Sequence, residues 1–428
     1  MKHTVKEVSL KNGAKGLFIN VPDAVVMDFN FNFRAGEYLV DPNKWEIPHL
    51  MEHVLLGANE EIPRAHDFHA EIEKNGAYSN ASTSVYEIDY EAECADFEWD
   101  RILDLLILSI TKPLFLKEEL KSEIGNVREE LSSRSNNLFR KLSLRMKKKI
   151  GLLVKTDQER LKLIKNIELE DIKNHYLKTH ITSNLRFVIA GNINPSRELI
   201  LKNKLNSIAL PRGKNRFPLP KEVPRMINVP VSVNNRSIDN IYFYVDTFLQ
   251  RQLNNREIFA LDLVNTYLTE TLYSKILGTA REKGLIYDMS SGLTLNQYFS
   301  NWWFGAQVSR ENIGPLFDVI ISEISKIKRG DINEDDINAT KQYLLGRFQR
   351  SAQTVGGVMS FYCSRFFFDE EIYAFNKTEQ NIKSTTKEEI VSVVNELIKD
   401  KVWSVGFLGK SDKELYNKLY DQIAVLWT

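Results

Sequence analysis

Pro48-His49-Leu50-Met51-Glu52-His53-Val54-Leu55-Leu56-Gly57 is a helix with a chemical face. Proline at the first turn and glycine after the last apolar residue bracket it. On a helix His49 and His53, four apart, lie about 40° from each other around the axis and one turn along it. That is the spacing two imidazole nitrogens need to chelate one zinc. Glu52 falls about 60° to the other side of His49, within reach of a water on that metal without binding it. Leu50, Met51 and Leu55 fill the opposite face and would anchor the helix in a core.

Two histidines leave a catalytic zinc one protein ligand short. The predicted helix Lys117–Asn136 is dense in carboxylates. Glu123 and Glu130, seven apart, share one face within about 20°, whereas Glu129 points elsewhere. Spacing alone leaves both Glu123 and Glu130 open as the third ligand. All seven histidines lie in the first 180 residues, so imidazole chemistry belongs to the first half. His66 and His69, three apart around Asp67, lack a glutamate at a useful angle and read as surface residues.

Outward from this helix, the chain repeats itself. Val25–Phe33 alternates apolar and polar residues, the pattern of a half-buried strand, and Ile241–Val245 is its counterpart in the second half. Each half closes alike: a helix (Glu170–Lys178, Lys387–Ile398), then a short apolar strand ending in glycine (Leu185–Gly191, Val402–Gly409). A helical Arg197–Leu199 or Lys413–Leu415 follows. Between the halves lie five prolines, Pro211, Pro218, Pro220, Pro224 and Pro230. Proline fixes φ and removes a donor, so this stretch reads as an extended linker. The expectation is an α+β protein of two related halves, 1–210 and 231–428, joined by the linker 211–230. Further helical periodicity marks Phe97–Ile110, Ile258–Leu272, Ile313–Ile327 and Ile337–Phe348, and the basic run Arg140–Lys149 reads as a solvated helix face.

Composition narrows the classes. The chain has 428 residues, 57 Lys+Arg against 57 Asp+Glu, and 43% apolar residues, enough for more than one core. Zero formal net charge argues against nucleic acid, which selects a basic footprint. The densest apolar stretch, Leu103–Ile110, is far short of the roughly 20 residues that span a bilayer. Cys94 and Cys363 read as reduced thiols. The opening Met1-Lys2-His3-Thr4-Val5-Lys6-Glu7 has no apolar core of a signal peptide, so a cytoplasmic location is expected.

The residues now match a family. His49-x-x-Glu52-His53 is the inverted zinc motif, and the chain around it resembles the pitrilysin/insulinase peptidases and the mitochondrial processing peptidase. Three further stretches carry the likeness in the right order. They are Phe33-Arg34-Ala35-Gly36 before the motif, Asn75-Gly76-Ala77 leading into Asn80-Ala81-Ser82, and Glu123-Ile124-Gly125-Asn126-Val127-Arg128-Glu129-Glu130 after it. The second half adds Arg281-Glu282-Lys283-Gly284-Leu285-Ile286-Tyr287.

The resemblance implies two homologous α/β-roll halves, each an antiparallel-rich sheet packed with helices. It implies one zinc held by His49, His53 and Glu130, with Glu123 as an outer carboxylate and Glu52 as the proton carrier of peptide hydrolysis. It implies that Arg281 and Tyr287 serve the reacting carbonyl and that the Asn80, Ala81 and Ser82 strand takes an extended peptide substrate. Since the complete chamber needs four such halves, it implies a homodimer, with a heterodimer as the alternative. A catalytically silent scaffold of the same fold is the competing class; it would lack Glu52 or a ligand.

Two departures stand out. The family often has glycine shortly before the first histidine, where this chain has Glu46-Ile47-Pro48. A glycine-rich stretch usually precedes the Arg/Tyr pair, where this chain has Leu268-Thr269-Glu270-Thr271-Leu272.

Overall fold

The computed structural model describes residues 1–399 and 401–428. They form two compact units. The first comprises Met1–Ser133, Asp157–Pro220 and Arg350–Tyr373; the second comprises Arg134–Thr156, Lys221–Gln349 and Ala374–Thr428.

The first unit is built on a six-stranded sheet. Its strands are β1 (Thr4–Ser9), β2 (Lys15–Asn20), β3 (Val26–Phe33), β4 (Tyr78–Thr83), β5 (Ile88–Ala95) and β6 (Leu185–Gly191), in the order β1-β2-β6-β3-β5-β4. All pairs are antiparallel except β2 with β6. The second unit holds β7 (Val231–Asn234), β8 (Ile241–Leu249), β9 (Ser290–Leu295), β10 (Ser300–Val308) and β11 (Val402–Gly409), in the order β7-β11-β8-β10-β9. Again a single pair, β7 with β11, is parallel. Strip β1 from the first sheet and the two share strand order and sense. The duplication read from Leu185–Gly191 and Val402–Gly409 is therefore visible as topology, and the fold is α+β with two antiparallel-rich sheets.

Strand alternation sets each core. On β3, Met27, Phe29, Phe31 and Phe33 are buried against the helices, among them Ile47–Leu55 and Trp99–Thr111. Burial of such side chains is worth about 1.5–3 kcal/mol each. The opposite face carries Asp28, Asn30 and Asn32, for which the sequence predicts solvent. Instead all three are buried. The helix Val355–Asp369 packs across β3 and β6 and covers this face. Thr354 starts it sharply, its hydroxyl accepting from the Gly357 N–H.

The second sheet is treated the same way. Its β8 and β11 are covered by the helix Leu138–Lys149, which lays Leu142 and Met146 against Tyr244 and Leu408. The basic run is thus only half a solvated face: Lys148 and Lys149 are exposed, while Leu142 and Met146 are buried. Helical periodicity over Ile258–Leu272 resolves into an α-helix, Asn255–Asn265, and a π-helical turn, Thr266–Glu270. The Thr269 hydroxyl bonds back to the Asn265 carbonyl there.

Residues 207–230 carry no helix or strand. Among the described residues no helix is long and apolar enough to cross a membrane. Cys94 and Cys363 are both free.

Two positions test this architecture. A Cβ on Gly36, in the loop after β3, would lie 2.3 Å from the Ser84 carbonyl oxygen and 2.4 Å from that of Val85. Backbone cannot step aside as a side chain can, so Gly36→Ala is expected to cost about 1–3 kcal/mol in urea unfolding.

Asp246 on β8 is fully buried. It accepts from Asn301 at 2.5 Å, and its other oxygen has no partner. Burial pushes its pKa from 3.8 to about 8. The native state therefore holds a proton that the unfolded chain releases, and stability falls as pH rises across that window. Asp246→Asn is expected to unfold at a higher temperature than the parent at pH 8, with the gap closing toward pH 4.

Candidate metal and active site

The helix Ile47–Leu55 forms as the sequence predicts, with Pro48 in its first turn. Leu50, Met51, Val54 and Leu55 are fully buried, which fixes its rotation and turns His49 and His53 to the carboxylate-rich helix Lys117–Ser135. That helix is held by Val127 and Leu131, both also fully buried. The His49 Nε2 lies 3.1 Å and the His53 Nε2 3.9 Å from one oxygen of Glu130. One ligand atom from each of His49, His53 and Glu130 falls within 4.8 Å of the others.

Glu123 stands one position-set back. It accepts a 2.8 Å hydrogen bond from the His53 Nδ1, and Asn126 donates to it at 3.2 Å. The bond to His53 holds Glu123 below the usual carboxylate range. Of the two carboxylates left open by spacing, Glu130 faces the Nε2 atoms and Glu123 faces an Nδ1.

His49 is bracketed by two carboxylates. Its Nδ1 donates to Glu46 at 3.0 Å, while its Nε2 faces Glu130. Burial opposes its charge, but the bonds to Glu130 and Glu46 prevail and push it up to about 9. Glu46 is fully buried and gripped by Arg160, whose Nε and Nη2 donate to its two oxygens at 2.5 and 2.8 Å. Burial would raise Glu46, yet its bonds to His49 and Arg160 hold it below the ordinary value. Glu37, on the far side of Arg160 at 3.8 Å, is pushed up to about 6 by burial.

Glu52 accepts a 2.6 Å bond from the Thr83 hydroxyl. Thr83 and Ala81 sit on the helix-facing side of β4, whereas Asn80 and Ser82 point the other way and are exposed. Burial pushes Glu52 above the normal range. β4 is an edge of its sheet, so its outer backbone row is unpaired.

Arg281 and Tyr287 lie in the other compact unit. They touch: the guanidinium sits 4.7 Å from the Tyr287 ring centroid, and its Nη1 donates to the Tyr287 carbonyl at 2.6 Å. The Tyr287 side chain is 82% exposed beside a cavity of about 470 Å³. His66 and His69 are exposed, as read from sequence. His175 and His180 are structural: burial pushes His175 down to about 4, and it bonds the Ala35 carbonyl at 2.7 Å.

Three polar partners escaped the sequence reading. Glu46 registered only as a replaced glycine, although an acid three residues before His49 on a helix is a local signal. Thr83 and Arg160 had none, because their partners are 31 and 114 positions away.

The donor set fits zinc: two imidazole nitrogens and one carboxylate oxygen are a usual catalytic complement. Arg160→Met would leave the Glu46 charge buried without its main partner. It is expected to cost about 3–5 kcal/mol by chemical denaturation.

Comparison with known proteins gives two matching family profiles. Residues 40–151 match "Insulinase (Peptidase family M16)", and residues 166–344 match "Peptidase M16 inactive domain". No curated protein matches the chain at a significant level. Among solved structures, a protease from Helicobacter pylori superposes with a TM-score of 0.82 at 19% identity, covering 95% of this chain and all of its own. The peptidase M16 inactive domain of Pseudomonas fluorescens gives 0.81 at 16% identity, covering 96% and 98%. An M16-like peptidase from Alicyclobacillus acidocaldarius gives 0.80 at 16%, covering 96% and 99%. At these identities the structures report the fold. The insulinase match spans His49 through Glu130, and the inactive-domain match spans Arg281 and Tyr287.

Proposed function

This chain belongs to the M16 insulinase-type peptidase family, and from that premise we propose that it is a zinc-dependent endopeptidase acting on peptides or unfolded segments. The observation that carries the reading is the placement of Glu52. Glu52 sits on the helix that presents His49 and His53 to Glu130, and its carboxylate is held by Thr83 of β4. When bound by those three residues, zinc supplies Lewis acidity that lowers the pKa of a water toward roughly 7 and polarises a carbonyl.

The chain's own residues do the rest. Glu52 takes the proton of the attacking water and delivers it to the leaving amide nitrogen. Thr83 fixes the rotamer in which it can do so. Burial keeps Glu52 above the usual carboxylate range, which favours a group that must both accept and return a proton. Glu123 orients the His53 ring through its Nδ1.

The open edge of β4 at Asn80, Ala81 and Ser82 receives an extended substrate as one more strand, reading backbone more than side chain. Tyr287, presented by Arg281, serves the reacting carbonyl. The working assembly in this reading is a homodimer.

The test is hydrolysis of a quenched-fluorescent unstructured peptide, run beside Glu52→Gln. Activity should fall at least about 100-fold while one zinc per chain is retained. Equal rates in the two proteins would overturn the reading. Failure of the zinc-loaded parent to cut any peptide of a diverse set would move the fold to the scaffold class.

A further inference from the structure

One buried cluster beside His49 plays no part in that proton transfer. Glu46, Arg160 and Glu37 are 0%, 9% and 4% exposed. Arg160 clasps both oxygens of Glu46, and the oxygen it reaches at 2.8 Å also accepts the His49 Nδ1–H at 3.0 Å. Three charged side chains are thus taken out of water at the start of a helix whose remaining inward positions are apolar. Stability does not account for them: an apolar set of similar volume usually serves as well or better.

The geometry has a directional consequence for the ring. With its Nδ1 held 3.0 Å from the Glu46 carboxylate and 3.3 Å from Arg160 Nη2, His49 turns its Nε2 to the side where Glu130 lies 3.1 Å away. His49 itself is only 4% exposed, so no solvent competes for the Nδ1–H. The second histidine differs. His53 gives its Nδ1–H to Glu123, but His53 and Glu123 are 26% and 22% exposed, so that bond meets water. One ligand ring is therefore set by a dry partner and the other by a wet one.

Arg160 decides how strong the dry partner is. A lone buried carboxylate would pull hard on the imidazole proton and enrich the ring with charge. A carboxylate already clasped by a guanidinium orients the ring while passing on less of its charge.

We propose that Glu46 is a positioning residue for the metal site, fixing the tautomer and tilt of His49, and that Arg160 moderates it. The inference rests on the zinc reading above and deepens it. It gives a role to the one departure from the family pattern within this helix, glutamate in place of glycine. Glu37 serves as the internal control, because it shares Arg160 but makes no bond to His49.

The experiment measures zinc affinity by competition with a chromophoric chelator, and the visible absorption of the cobalt(II)-loaded protein. Parent, Glu46→Gln and Glu37→Gln are compared at one pH. Glu46→Gln is expected to lose about 10–100-fold in zinc affinity and to shift the cobalt band, with Glu37→Gln within about twofold of the parent. A merely structural role would lower the melting temperature in both variants and leave the cobalt band in place. Affinity unchanged in Glu46→Gln, or an equal loss in Glu37→Gln, would overturn the proposal. Should Glu46→Gln fail to fold, the double variant Glu46→Gln/Arg160→Gln removes both charges together and carries the same comparison. A parent that binds no zinc would overturn the zinc reading itself, an outcome distinct from a parent that binds and a variant that binds equally well.

Discussion

Burying charge beside an apolar core is tolerable only where each charge meets a partner, and the first unit is organised around that condition at the Ile47–Leu55 helix. One face of the helix is fully apolar; the other carries His49, Glu52 and His53. Each of these finds a partner from elsewhere in the chain, Glu130 for His49, Thr83 for Glu52 and Glu123 for His53, and His49 has a second one at the helix's own cap, Glu46. Without the buried Leu50, Met51, Val54 and Leu55 the helix could rotate and the partners would be lost. Without the partners, the polar face could not lie against the neighbouring helix and β4. Packing and chemistry constrain the same nine residues.

The same condition explains how the sheets are covered. β3 offers Phe29, Phe31 and Phe33 to one side and Asp28, Asn30 and Asn32 to the other, and both sides are buried. The helix Val355–Asp369 closes the polar side. Gly356 in its first turn lies over Asp28, where a Cβ would make only ordinary contact with the carboxylate at 3.5 Å. In the second unit the close approach is at Gly406 on β11, where Met146 of the Leu138–Lys149 helix occupies the space a Cβ would fill. In both units the covering helix comes from the opposite half of the sequence. The contiguous halves at 1–210 and 231–428 describe a repeat in the chain; the compact units exchange a helix across that boundary.

Local readings succeeded where a single element carries its own signal. Strands Leu185–Gly191 and Val402–Gly409 lie where the apolar runs end in glycine, and the helix around His49 lies between its proline and glycine. The seven-residue spacing of Glu123 and Glu130 placed both on the face that meets the histidines. The readings fell short where burial was inferred from alternation alone. Polar residues on β3 predict solvent, and the helix Val355–Asp369 from far along the chain covers them instead; on Leu138–Lys149 the basic residues Arg145, Lys148 and Lys149 do face solvent while the apolar side is buried. Periodicity over Ile258–Leu272 gave a helix but not its π-turn, which is fixed by the Asn265, Thr269 and Glu270 side chains.

By itself the sequence determined the α+β class, the internal repeat, the family resemblance and the helix face that carries His49, Glu52 and His53, with Glu130 singled out from Glu123 only by that resemblance. Those follow from spacing along one helix and from motifs in order, which are properties of the chain read a few residues at a time. Only the tertiary structure decided which carboxylate meets which imidazole nitrogen, that Thr83 holds Glu52, and that Glu46 and Arg160 form a dry ion pair behind His49. Those contacts join residues up to 114 positions apart. Spacing along a helix sets direction, whereas the partner on the far side of a gap is set by packing of the whole unit.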